Sequence, residues 1–272
     1  MARVGSSKTV SHGGTDFFLR AYSPEGPPRA TIIALHGFTG SGEDWGPLTD
    51  AADPDLRWIC PDLPGHGKTT CPPLSDYFRA DRIASFLHAL RHEQLAPVHL
   101  IGYSMGGRLA LHFLRYHGPL PTLVIGANPG LDDPLEREAR ARQDDHRLTA
   151  HTSLEAFCDT WEQLPLIAPQ RSLPEPLRSA IHSRRRANNL NGLRLSLRTL
   201  SPGRLPSLWP SLAAIPPFTF VHGERDSAYA ATGARIGSLN RNCQILPVAG
   251  AGHAPHLETP RAMAAILDKW IG

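Results

Sequence analysis

Ser104 lies between Gly102 and Gly106 in GYSMG, with the apolar run PVHLI ahead of it and MGGRLALHFLRYH behind it. This is G-x-S-x-G between a strand and a helix, the setting in which a sharp, strained turn exposes a serine oxygen. Side chains at the glycine positions would collide with the neighbouring strand and helix, and the helix N-terminus favours developing negative charge. A serine hydroxyl is weak until a base and an orienting acid activate it. Asp226 in GERDS follows the apolar run FTFVHG, and His253 in GAGHAPH follows QILPV. Both stand just past predicted strand ends, in the chain order Ser, Asp, His that such a serine needs. Glu224, closer to its strand end, and His256, at the start of the last helix, fit less well. The plain alternatives are Asp226 as a helix cap and His253 as a loop residue.

If charge builds on a substrate oxygen, donors must meet it. The first long apolar run ends in HGFTGSGEDW, so the backbone N–H of Phe38 can pair with that of Met105, the residue after the serine, as an oxyanion hole. His36 in that motif and His66 in DLPGHGKT read as structural hydrogen bonders in loops. GHGKTT lacks the full phosphate-loop spacing. His253 and His256 have no third ligand nearby, so no metal is expected, nor any cofactor.

Something must hold these residues at one edge. Short apolar runs closed by Gly, Pro or Asp recur at 30–37, 57–62, 97–102, 121–128, 216–223 and 243–250, as expected of parallel strands covered on both faces. Helical spacing separates them. Ile83, Phe86, Leu87 and Leu90 follow i, i+3, i+4, i+7, and Met263, Ile266, Leu267 and Trp270 repeat it. The expected fold class is α/β, a mostly parallel sheet flanked by helices, with KTVS and DFFLRAY adding an antiparallel edge. From 129 to 205 the strand rhythm stops and helix-like segments carry twelve arginines against ten acids. Residues 129–205 are therefore expected as a helical lid inserted into a core made of 1–128 and 206–272, placed over the carboxyl ends of the strands.

The formal charge of +3 rests almost wholly on arginine, because the lysines are Lys8, Lys68 and Lys269 alone. Guanidinium groups grip carboxylates in two-pronged fashion, which suits small anionic ligands. Beyond SRRRANN no basic run appears, so nucleic acid is not expected as a partner. No apolar stretch approaches the length of a bilayer span. Four cysteines without CxxC spacing and an opening MARVGSSKTV without a signal-like apolar run point to a cytoplasmic protein, a monomer or small homo-oligomer.

Over nearly its whole length the sequence resembles the α/β-hydrolase superfamily. HGFTGSGEDW, DLPGHG, GYSMGGRLAL, NPGLDDPLEREARARQDD, WEQLPLI, RANNLNGLRLSLRTLSPGRLPSLW and GHAPHLETP together resemble its 2-succinyl-6-hydroxy-2,4-cyclohexadiene-1-carboxylate synthases, of menaquinone biosynthesis. The resemblance implies a lyase that eliminates pyruvate from an enolpyruvyl cyclohexene bearing a succinyl group, with Ser104 as a base. It also implies three substrate carboxylates. Arg108, four residues after Ser104 on the same helix, Arg140 and Arg186 then become substrate-binding candidates, with Trp161 and Tyr103 beside them. Arg142 and Arg185 are the near neighbours of two of these. Thr39, Asn128 and Pro255 depart from the usual pattern. The other readings are a serine hydrolase acting on esters, thioesters or carbon–carbon bonds, and a noncatalytic receptor.

Overall fold

The structure, a computed structural model, describes residues 3–71 and 79–272, so residues 1, 2 and 72–78 of the expected core lie outside the described residues. The six apolar runs form strands: β3 (Ala30–Leu35), β4 (Leu56–Pro61), β5 (Val98–Tyr103), β6 (Thr122–Ile125), β7 (Thr219–Gly223) and β8 (Gln244–Val248). Ahead of them β1 (Val4–His12) and β2 (Thr15–Ser23) form an antiparallel pair, and β2 joins β4 antiparallel. The sheet runs β1-β2-β4-β3-β5-β6-β7-β8 and is parallel from β4 onward.

Alternation along the strands sends side chains into two cores, as a sheet covered on both faces requires. Ile33, Leu35 and Leu100 pack against α2 (Ala80–His92) and α3 (Met105–His117). There Ile83, Phe86, Leu87 and Leu90 of α2 form the buried stripe that their spacing predicts. Ile32, Ala34 and Ile101 point the other way, onto α1 (Gly46–Ala51) and α10 (Pro260–Ile271). On α10, Met263 and Leu267 are fully buried, while Ile266 and Trp270 pack at the margin.

Between β6 and β7 the chain forms α4 (Pro134–Thr149), α5 (Leu154–Trp161), α6 (Leu177–Arg186) and α7 (Leu190–Leu200). Polar caps start α4, α5 and α7: Asp133 accepts from the N–H groups of Leu135 and Glu136, Ser153 from Ala156, and Asn189 from Gly192. After β7 comes α8 (Ser227–Leu239), and after β8 the short α9 (Pro255–Glu258). Among the described residues no helix is long and apolar enough to cross a membrane, and no cluster of three or more His, Cys, Asp or Glu is placed to hold a metal.

Candidate active site

β5 delivers Ser104 directly into α3, and the turn is as tight as the glycines imply. Ser104 has φ 51° and ψ −108°, a left-handed conformation costly for a side-chain-bearing residue. A Cβ on Gly102 would lie 2.3 Å from the Gly106 carbonyl oxygen, and one on Gly106 would lie 2.2 Å from that of Leu35. Backbone bonds fix the bend from both neighbouring strands: Ser104 N–H donates to Ile125 O (2.8 Å) and Gly106 N–H to His36 O (3.1 Å).

Parallel pairing brings the partners to the same edge. Gly223, at the end of β7, stands beside Val248 of β8, so the loops carrying Asp226 and His253 emerge together. His253 Nδ1 lies 2.8 Å from Asp226 Oδ2, and both side chains are buried. Because a carboxylate only accepts, Nδ1 carries the proton and Nε2 is left as the basic nitrogen. Nε2 is buried without a hydrogen-bond partner among the described residues, in the cavity that Ser104 also lines. Asp226 is at the same time the cap of α8, since its Oδ1 accepts from Tyr229 N–H (3.3 Å). The cap and the histidine partner, weighed as alternatives from sequence, are two oxygens of one carboxylate.

Neither competitor comes near this arrangement. Glu224 accepts from Gly250 N–H at an exposed site. His256 is buried between Trp45 and Tyr103, and burial brings it down to about 3, so it stays neutral. His36 is a brace: its Nδ1–H donates to Gly37 O (2.7 Å), and its Nε2 accepts from Leu63 N–H (2.9 Å). Burial lowers its affinity for a second proton.

A cavity of about 670 Å³, part of it open to solvent, lies over Ser104. Its floor includes Phe38, Tyr103, Met105 and His253; α7 and the Trp161–Ile167 stretch form its roof. Among the described residues the N–H groups of Phe38 and Met105 have no hydrogen-bond partner. Arg108 is 8% exposed, and among the described residues the one hydrogen bond of its guanidinium is a long one from Nη2 to Leu200 O (3.4 Å). Burial brings this guanidinium down to about 10, with further repulsion from Arg140. Arg140 reaches the cavity too; its Nε donates to Asp144 (2.9 Å), leaving the terminal nitrogens for a ligand. Trp161 lines the cavity with its ring edge-on to Phe38 (5.0 Å), and its Nε1–H has no partner among the described residues.

Arg186 does not belong to this group. Its guanidinium is held by Glu155 (2.6 Å), Asp159 (2.5 Å) and Glu162 (3.0 Å), which tie α6 to α5 and raise its proton affinity further. The three acids precede it by 24 to 31 residues, a pairing that spacing does not reveal. Arg185 is buried against Glu162 and Gln170, and Arg142 pairs with Glu138 on the exposed side of α4.

Two residues of the site escape a motif search. Glu258 accepts from Gly252 N–H (2.7 Å) and Ala254 N–H (2.9 Å), gripping the residues on either side of His253. The signal was its place in GHAPHLE, five residues after the histidine. Tyr229, one helical turn past Asp226, lines the cavity and packs on the His253 ring at 4.7 Å.

Known proteins share this frame. Residues 32–266 match the alpha/beta hydrolase family. A Bacillus subtilis (strain 168) protein, provisionally named as a 2-succinyl-6-hydroxy-2,4-cyclohexadiene-1-carboxylate synthase, is 36% identical over 271 residues, spanning 97% of this chain and 98% of its own. The synthase of that name from Enterobacter sp. (strain 638) is 33% identical over 242 residues, 87% of this chain and 89% of its own. The solved structure of MenH from S. aureus superposes with a TM-score of 0.86 at 25% identity, over 93% of this chain and 97% of that one. With this sheet, this serine turn and these relatives, the chain belongs to the alpha/beta hydrolase family and, within it, to the 2-succinyl-6-hydroxy-2,4-cyclohexadiene-1-carboxylate synthases.

Proposed function

We infer that the chain is a lyase of menaquinone biosynthesis. It eliminates pyruvate from 2-succinyl-5-enolpyruvyl-6-hydroxy-3-cyclohexene-1-carboxylate to give 2-succinyl-6-hydroxy-2,4-cyclohexadiene-1-carboxylate. The observation that carries this reading is the buried Arg108 guanidinium, which has no carboxylate partner among the described residues and shares a cavity with Ser104 and His253. A cation left unpaired in a dry site calls for an anionic ligand. Simple esters supply none.

His253 Nε2 takes the Ser104 proton, and Asp226 stabilises the imidazolium that results. The serine oxygen then takes a ring C–H proton. The electron pair released from ring carbon 2 forms the 2,3 double bond, the existing 3,4 double bond shifts to 4,5 as the C5–O bond breaks, and pyruvate leaves as its enolate, which takes up a proton. No water is added and no electrons leave the substrate. The N–H groups of Phe38 and Met105 stabilise the anionic charge, while Arg108 and Arg140 hold carboxylates, with Tyr103 and Trp161 as walls. Arg186 acts at a distance, by bracing the lid. The four cysteines are all free, which suits a reducing cytoplasmic setting.

The test is pyruvate release from the purified enolpyruvyl substrate, followed with lactate dehydrogenase and NADH. Turnover is expected, and Ser104→Ala should abolish it. Negligible pyruvate together with rapid cleavage of simple acyl esters would remove the lyase reading.

A further inference from the structure

The Gly37–Gly40 turn that carries the Phe38 N–H contains an unusual residue. Gly40 N–H donates to Gly37 O (3.1 Å), and Thr39 stands at the third position of the turn with φ 66°. That is glycine's place in a type II turn, and a β-branched side chain there is strained. Thr39 is 1% exposed, so water does not relieve its carbonyl. The hydrogen-bond donor to that carbonyl comes from the inserted segment.

Asn188, between α6 and α7, is 8% exposed and reaches down onto the core. Its Nδ2 donates to Thr39 O (2.9 Å), and its Oδ1 accepts from Gly67 N–H (2.9 Å) in the DLPGHG loop. The same amide group also donates to Arg184 O and Arg185 O at the end of α6. One side chain thus joins the turn of Phe38, the loop after β4 and the lid. The contact is close all along: a Cβ on Gly192, in the first turn of α7, would meet Gly65 O at 2.7 Å. Arg184 Nε adds a bond to Asp44 Oδ1 (2.9 Å), just beyond the turn.

We propose that Asn188 is a positioning residue of the reaction: it holds Thr39 in its left-handed form and so fixes the Phe38 N–H toward the oxyanion site. This rests on the oxyanion role given to Phe38 above. Without the Nδ2 donor the turn relaxes toward the conformation that a β-branched residue prefers, and the Phe38 peptide turns with it. Removing an oxyanion donor outright costs about 10²–10³ in kcat, so a donor that is present but unheld should cost about tenfold or more.

Asn188→Ala should therefore lower kcat about tenfold or more with KM within about twofold of the parent, because the lost interaction is made to the transition state. Ser104 phosphonylation by a fluorophosphonate, whose P=O needs the same donors, should slow in parallel. Thr39→Gly, which removes the strain, should restore most of both rates in the Asn188→Ala background. A parent that phosphonylates Ser104 but releases no pyruvate would end the lyase reading while leaving the fluorophosphonate rates to judge Asn188. Four outcomes overturn the proposal: unchanged kcat in Asn188→Ala, a loss expressed in KM alone, a folded double variant without recovery, or failure of both variants to fold, which makes Asn188 a folding residue only. Should Asn188→Ala alone fail to fold, recovery of fold and rate in the double variant supports the proposal.

Discussion

Arg108 offers the sharpest test of what this cavity is built to hold. Its side chain is buried and, among the described residues, lacks a carboxylate partner and makes one weak hydrogen bond, to Leu200 O. The fall from the ordinary guanidinium range to about 10 corresponds to about 3 kcal/mol against the charged form. The group is charged at neutral pH whether the chain is folded or not, so that cost is borne in full by the unliganded protein. Arg108→Met keeps the apolar stem and deletes the charge. Relief of up to about 3 kcal/mol should raise Tm by about 3–8 °C in a chain of this size. Activity should move oppositely. A two-pronged grip on a carboxylate comprises two charge-assisted hydrogen bonds of about 1.5–3 kcal/mol each, so kcat/KM should fall about 10²–10⁴-fold. Scanning calorimetry and the pyruvate assay read the two effects separately. Succinate, as a stand-in for the side chain of the substrate, should raise the Tm of the parent and not that of the variant. A variant that melts lower than the parent and keeps kcat/KM within about threefold would refute the reasoning, since Arg108 would then be packing the core and not awaiting an anion.

Asp226→Asn should cut kcat by several orders of magnitude with little change in KM, because an amide that donates to Nδ1 forces the proton onto Nε2; steady-state kinetics reads this directly. Glu258→Ala frees the two amides that frame His253, and the loss of two charge-assisted bonds predicts Tm lower by a few degrees and kcat lower by about tenfold, with Glu258→Gln, which keeps one carbonyl acceptor, falling between. His256, buried at about 3, binds its proton more readily unfolded than folded, so stability falls as pH drops below about 6.5, at about 1.4 kcal/mol per pH unit. His112, brought to about 4 by burial, acts in the same direction. Replacing His256 by Phe should shrink the loss in urea-unfolding free energy between pH 7 and pH 5 by about 2 kcal/mol, and an unchanged loss would mean that this ring is already protonated in the fold.

The central strands were legible because they are covered on both faces, so ATIIAL in β3 and TLVI in β6 read as short, mostly apolar runs, whereas β8, at the edge of the sheet, is partly exposed. The convergence of Ser104, Asp226 and His253 was legible for a related reason: they stand one, three and five residues past the ends of β5, β7 and β8, and strand order carries them to the same edge. The arginines of the inserted helices were not. A guanidinium shows its allegiance only once the acids around it are in place, and Glu155, Asp159 and Glu162 come from a different helix or its end. On spacing alone Arg140 and Arg186 look alike, yet one faces the cavity and the other is locked among three carboxylates. Asn188 and Glu258 were hidden because both act on backbone groups, which leave no complementary side chain in the sequence to search for.

The inserted segment is therefore two things at once. Around Arg186 it is a self-contained brace, in which charge is neutralised locally and α6 is tied to α5. Around Asn188 and Gly192 it is part of the core, pressed backbone to backbone on the loop after β4. Arg108, on α3 with its Nη2 on Leu200 O, has no carboxylate partner among the described residues. An esterase needs a nucleophile and an oxyanion site, and a buried unpaired cation would only weaken its fold. The same cation becomes useful when the substrate supplies the missing carboxylate, because desolvation then strengthens the pair it forms. On the proposed function, stability given up at Arg108 and recovered on binding would separate this cavity from a general hydrolytic one and place the specificity of the chain in its arginines, not in its triad.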